Sequence, residues 1–227
     1  MKRAAMVRSP VNWYRRVRHA LIENRRLCRA YFSSTDTPSL HIGGGWRRLE
    51  GWLNADLEVV PGVVNMDATK PFPFADVTFR FVFSEHMIEH VPYEGGVAML
   101  RECHRILRDD GVIRVVTPDL ASIAALYSST LSDAQKEYLS WFCAACLPQG
   151  RPHTVASAMN AQFRFWGHQF VYDEETLATA LLTAGFTSIT RKRLGQSNHP
   201  ELAHLENVQR YPEGFLDIES VALEASK

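Results

Sequence analysis

The sequence predicts an α/β protein built on a mostly parallel sheet with an antiparallel last strand, and three observations carry that expectation. Short apolar runs end in small or acidic residues: Leu40 to Ile42 before Gly43, Gly44 and Gly45, Trp52 to Ala55 before Asp56, and Val63 to Met66 before Asp67. Buried-strand runs then alternate with amphipathic stretches from Phe79 onward. With 46% apolar residues among 227, the chain can bury one sizeable core and carry an appendage.

The first elements are read from those run endings. Glycines without Cβ let the backbone approach a ligand, and a carboxylate at the next strand end accepts hydrogen bonds from ribose hydroxyls. Asp56 stands 13 positions after Gly43 and no third glycine opens a helix, which argues against NAD or FAD. The interval from Gly45 to Trp52 is shorter than the dozen or so residues an ordinary parallel crossover needs, so the first crossover helix is expected to be reduced or absent.

HIGGG, GWLNAD, MDATKPFPFADVTFRFVFSEHMIEHV and RECHRILRDDGVIRVVTPD, between about Leu40 and Leu120, resemble successive motifs of class I S-adenosylmethionine (SAM) dependent methyltransferases. The nearest group is type 11, in its branch with a GW-N-D second strand, whose members are often linked to surface-polysaccharide pathways. The resemblance implies a Rossmann-like class I methyltransferase fold with SAM as cofactor. It would place Gly43, Gly44 and Gly45 under the methionine moiety, Asp56 with Leu57 at the ribose, and Asp67 with Ala68 at the adenine. His41 stands where the family usually has an acidic residue, and so takes that position beside the cofactor. Ser84, Glu85 and His86, at the end of the aromatic run Phe79 to Phe83, would lie between cofactor and acceptor.

His86-Met87-Ile88-Glu89-His90 also matches the H-x-x-E-H pattern of inverted zinc proteases. That reading needs a full helix and a third ligand such as Glu174 or Glu175. The strand-like FRFVF before it and the motifs on both sides oppose it, so no metal is expected, and Glu89 and His90 are read as fixing the turn.

Later elements follow in order. Tyr93 to Leu107 has helical spacing, Asp109-Asp110-Gly111 should end it, and Val112 to Val116 forms the next strand. Asp119 is a helix N-cap or an acceptor-site residue. From Ser122 to Tyr172 the strand and helix alternation lapses into aromatic-rich segments, an insertion expected to cap the acceptor pocket, with Trp141, Phe142, Phe163, Phe165 and Trp166 as stacking or core residues. Cys143 and Cys146 are read as two cysteines on one buried helix face. His168, at the return from cap to core, is a second candidate base after His86, or a histidine hydrogen-bonded to a carbonyl. A helix capped by Asp173 and closed by Gly185 precedes two last strands, Phe186 to Leu194 and Glu219 to Ala225.

Residues 1–35 are electrostatically separate. Residues 1 to 30 hold nine Lys or Arg against Glu23 alone, although the whole chain is neutral. From Pro10 a basic amphipathic helix is expected, packed on the methyltransferase domain (36–227, cap at 122–172) or contacting an anionic membrane. No reading module for nucleic acid accompanies the charge. The absence of a signal-like or spanning apolar run suggests a cytoplasmic protein, peripheral at most to the inner face of the membrane. The expected function is SAM-dependent methylation of an oxygen or nitrogen on a small-molecule or sugar acceptor. The alternatives are a non-catalytic SAM-fold scaffold and a zinc hydrolase using His86, Glu89 and His90.

Overall fold

The computed structural model describes residues 22–227. Seven strands form where β-branched and aromatic residues cluster: β1 Ser39–Ile42, β2 Leu53–Asp56, β3 Val64–Asn65, β4 Phe79–Glu85, β5 Leu107–Pro118, β6 Ile189–Lys192 and β7 Ser220–Ser226. They make one sheet in the order β3-β2-β1-β4-β5-β7-β6. Strands β1 to β5 pair in parallel, whereas β7 runs antiparallel to both β5 and β6. The strand order reverses between β1 and β4, the place where open α/β sheets bind ligands at the carboxyl ends of their strands.

Period-two alternation sends Leu40, Ile42, Leu53, Ala55, Val82, Ile113, Val115, Val221 and Leu223 to one face of this sheet. Helix α1, over 22–32, brings Leu27, Cys28, Tyr31 and Phe32 to that face. Helix α2 (Tyr93–Ile106) adds Val97, Leu100 and Cys103, and α6 (Glu174–Ala184) adds Leu177 and Leu181. Asp173 caps α6 by accepting from Thr176 N at 2.8 Å, and Gly185 closes it at φ 107°. The left-handed residue frees the last carbonyls to take main-chain amides from beyond the helix.

The opposite face has no crossover helix. No helix lies between β1 and β2, and the long connection between β6 and β7 covers this side instead. Leu194, Leu202 and Leu205 from that connection pack on Phe81, Phe83, Val112, Val116 and Ala222, with Trp52 beside them. Arg114, fully buried at the middle of β5, pins the connection in place. Its five N–H groups are all used: Nε and Nη2 donate to Glu206, Nη1 to Glu224 and to the Gln196 carbonyl, and Nη2 also to the Arg193 carbonyl.

Helices α3 (Leu120–Ala125), α4 (Asp133–Cys146) and α5 (Val155–Arg164) build the insertion, with a core of Leu126, Tyr138, Phe142, Cys143, Ala158 and Ala161. Asp119 is the N-cap of α3, its side chain accepting from Ala121 N. Helix α7 (Phe215–Glu219) joins this core to β7.

One expectation is corrected. Asp109-Asp110-Gly111 lies within β5, because the helix already ends at Ile106 and the strand begins at Leu107. The expected N-terminal helix lies partly outside the described residues, at 10–21. Its described portion packs on the helical face, with Asn24 bonded to both the amide and carbonyl of Asn65, so the β6–β7 connection takes the place of the missing crossover helix. Among the described residues no helix is long and apolar enough to cross a membrane.

Candidate active site

The site is assembled where the carboxyl ends of β1, β2 and β4 meet. After β1 the chain turns at Gly43 (φ 79°), and a Cβ there would sit 2.2 Å from the Met87 side chain. Only glycine tolerates both that backbone and that approach. Gly44 lies over the His41 ring and the Arg47 carbonyl, each too close to admit a side chain. Gly45 (φ 55°) differs, because the space a side chain would take is open to at least 4 Å. Its amide donates to Asp56 Oδ2 at 2.7 Å, while Asp56 Oδ1 accepts from Glu58 N at 2.7 Å. The carboxylate thus ties the glycine turn to the end of β2.

His41 supports the turn from below and does not face a ligand. It is 1% exposed, its Nδ1 lies 2.9 Å from Asn54 Oδ1, and its ring stacks on Phe83 at 5.5 Å. Burial lowers its pKa to about 4 against the help of Asn54, so the ring is neutral at physiological pH. The residue sits inside the sheet, one position before the end of β1. Asn54 itself is locked by Leu49 and Trp52 main-chain groups.

Trp46 and Leu57 flank Asp56 with 74% and 68% of their surfaces exposed. Asp67 Oδ1 accepts from both the amide and the hydroxyl of Thr69, which bends the chain at the end of β3 and leaves Ala68 partly buried against the core. Ser84 is 1% exposed and its hydroxyl has no hydrogen-bond partner. An open glycine turn, a carboxylate at the second strand end, exposed apolar side chains beside it and an unpartnered buried hydroxyl suit a ligand with methionine, ribose and adenine parts.

Beyond Ser84 the residues diverge. Glu85 was expected between cofactor and acceptor, but its carboxylate is already engaged: Oε2 with Arg47 Nη1 at 3.0 Å and Oε1 with Asn207 N at 2.8 Å. Arg47 also donates to the Leu205 carbonyl, so Glu85 and Arg47 brace the glycine turn against the β6–β7 connection. Burial raises the Glu85 pKa above the usual carboxylate range, with the Asn207 amide opposing it.

His86 holds a left-handed backbone at φ 48°, an uncommon state for a non-glycine residue, kept by its amide donating to Val116 O at 2.9 Å. Its ring Nδ1 lies 3.4 Å from Glu89 Oε1, its Nε2 lies 3.4 Å from Ser220 Oγ, and it stacks on Tyr211 at 6.4 Å. Burial alone would lower the His86 pKa; the Glu89 contact, with the charges of Glu89, Glu219 and Glu85, outweighs it and raises the value. The partner Glu89, pushed up by burial, is drawn down further by His86 and His90. His86 is therefore a histidine with an orienting carboxylate behind it, against a wall of Tyr211 and, beyond it, Trp141 at 5.8 Å.

His168 falls elsewhere. Its Nδ1 bonds the Gln162 carbonyl at 2.6 Å and its ring meets His90 at 4.9 Å, on the cap side of Glu89. The zinc-protease arrangement fails here: Ile88–His90 is one 3₁₀ turn, so His86 and His90 share no α-helical face, and Glu174 is paired with Arg191 at 2.6 Å. Sequence reasoning missed Tyr211, Arg47 and Glu219. Glu219 is buried and accepts from Tyr138 and Gln162, joining the cap to the base of the site.

A family model described as "Methyltransferase domain" matches residues 50–115, from the approach to β2 through the middle of β5. Over residues 50–115 the chain is similar to methyltransferase domains. Among solved structures, a SAM-dependent methyltransferase from Mesorhizobium loti superposes with a TM-score of 0.50 at 15% identity, covering 84% of this chain and 90% of the other. Such a likeness establishes the Rossmann-like fold. A SAM-dependent methyltransferase from Archaeoglobus fulgidus follows at TM-score 0.48 and 17% identity, covering 92% of this chain and 94% of the other. The Burkholderia thailandensis 1,6-didemethyltoxoflavin-N1-methyltransferase, solved with its substrate and S-adenosylhomocysteine, gives 0.47 at 14% identity, over 96% and 84% of the two chains. No curated protein matches the chain.

Proposed function

We propose that the protein methylates an oxygen or nitrogen of a small polar acceptor, of the kind found among sugars of surface-polysaccharide pathways. The observation that carries this reading is the His86–Glu89 pair at the end of β4, adjacent to the strand order reversal and faced by Tyr211. Gly43, Gly44, Gly45 and Asp56 would hold the cofactor, Leu57 and Trp46 would cover its flat base, and Ser84 would supply the hydroxyl that has no partner within the protein. The cofactor supplies an activated methyl on a sulfonium. The protein's share is alignment, which contributes up to about 7–11 kcal/mol, and removal of the acceptor proton, worth about 10²- to 10⁴-fold. His86 accepts that proton while Glu89 orients the ring and stabilises its charged form. Trp141 and Tyr211 offer the flat apolar surfaces on which a sugar ring stacks.

Calorimetric titration with SAM and with S-adenosylhomocysteine tests the cofactor half. Asp56→Ala is expected to abolish binding of both, and unchanged affinity would refute the pocket assignment. For the catalytic half, kcat/KM should rise with pH through a pKa above 6.5, because the raised pKa keeps His86 protonated below it. His86→Gln should lose that limb and at least about 10²-fold in turnover, and a fully active variant would remove His86 as the base.

A second reading, a SAM-fold scaffold without transfer, draws on one observation. Both Asp56 oxygens already take main-chain amides, so a ribose must share or displace them. Failure of both titrations would favour it.

A further inference from the structure

Glu89, His90 and His168 converge at the seam between the sheet edge and the cap. One ligand atom from each lies within 4.8 Å of the other two. Glu89 is fully buried: its Oε2 accepts from Thr117 Oγ1 at 3.1 Å, while Oε1 makes no hydrogen bond and stands between His86 Nδ1 at 3.4 Å and His90 Nε2 at 3.9 Å. A buried carboxylate oxygen without a partner costs several kcal/mol in an apolar setting. It is therefore the atom that calls for a ligand. The imidazoles stand edge to face at 4.9 Å, and the His168 Nδ1–H donates to the Gln162 carbonyl at 2.6 Å. That bond fixes the tautomer and leaves Nε2 as the basic nitrogen, the usual outer support of a metal-bound histidine. The main chain is equally set. Gln169 N and Phe170 N donate to the Glu89 carbonyl, and Gln169 Nε2 to the His90 carbonyl, so the seam is held in register with no ion.

We infer that Glu89, His90 and His168 form a binding site for a divalent transition-metal cation of the zinc class, which fastens the cap to the catalytic sheet. Two imidazoles and one carboxylate are the donor set of zinc sites with an open position. A contraction of up to about 1.4 Å among the three donors would bring them to the separations a tetrahedral ion with ~2.0–2.1 Å bonds requires. Three protein ligands leave a position for water or for an oxygen of the acceptor. The donor set shares Glu89 with the His86 pair but requires neither SAM nor the His86 ring, so metal binding can be read apart from methyl transfer.

The test uses the full chain, stripped with a chelator and titrated with Zn²⁺ in competition with a chromophoric chelator, and in parallel with Co²⁺. One equivalent of Zn²⁺ should bind, and Co²⁺ should give visible bands without the near-ultraviolet thiolate transition. His168→Ala and His90→Ala should each weaken binding at least about 10- to 100-fold, the range already lost when only an outer support is removed. The double variant Cys143→Ser with Cys146→Ser, and His153→Ala at an exposed position, should bind as the parent does. Zn²⁺ should also slow amide exchange across 165–170. Far-ultraviolet circular dichroism confirms that each variant is folded. The inference is overturned if the parent binds no stoichiometric Zn²⁺, if affinity survives loss of His168, or if binding disappears with the two cysteines.

Discussion

The two faces of the sheet are closed by opposite means. On one, α1, α2 and α6 lay apolar stripes over Leu40, Val82, Ile113 and Leu223. On the other, a connection with little regular structure is drawn down by Arg114, Glu206 and Glu224, while His41 and Asn54 sit buried beneath it. The helical face tolerates error, since a lost methylene leaves a cavity but no uncompensated charge. The looped face does not: each of its groups is satisfied only while the others are present.

Three changes probe this contrast. Arg114→Ala strands Glu206 without its cation, leaves Glu224 only the more distant Lys192 at 3.9 Å, and should cost about 3–5 kcal/mol in urea unfolding. Replacing Arg114, Glu206 and Glu224 together by Met, Leu and Leu should restore most of that loss. A cost below 1 kcal/mol for the single change would mean that the cluster is not the fastening described.

His41 gives the next effect. Its folded pKa, about 4, lies below the 6.5 of the free residue, so the unfolded chain binds the extra proton between those values. Stability is then complete above pH 6.5 and is lost as pH falls toward 4, by roughly 2 kcal/mol between pH 7 and pH 5. Unfolding of His41→Gln across the same range should lack this component, and parallel curves for parent and variant would show that His41 is not its source.

On the helical face, Asp173→Ala removes the cap of α6 and should lower stability by about 1 kcal/mol. A loss as large as that of Arg114→Ala would erase the distinction between the faces.

The same contrast separates what the sequence made legible from what it did not. The strand run endings, the α2 and α6 periodicity, the Asp173 and Gly185 caps and the absent first crossover helix are local properties, readable within a dozen residues. The glycine turn and Asp56 were found for the same reason. Tyr211 and Glu219 lie more than a hundred positions beyond His86, Tyr211 in a stretch whose composition resembles an ordinary polar loop and Glu219 at the start of the expected last strand, where nothing local marks it as a site residue. Arg114 stands in an apolar strand run where only its distant partners explain its burial. Glu85 looked free because Arg47 and Asn207, its partners, are brought to it by the fold alone.

The brace from Arg47 to Leu205 joins the first strand's turn to a segment 158 positions later. Contacts across so long a separation close late in folding. During synthesis the glycine turn therefore emerges well before Leu205 and waits unbraced until that segment has followed it from the ribosome. An interruption before β7 would leave the sheet begun and the glycine turn without its brace.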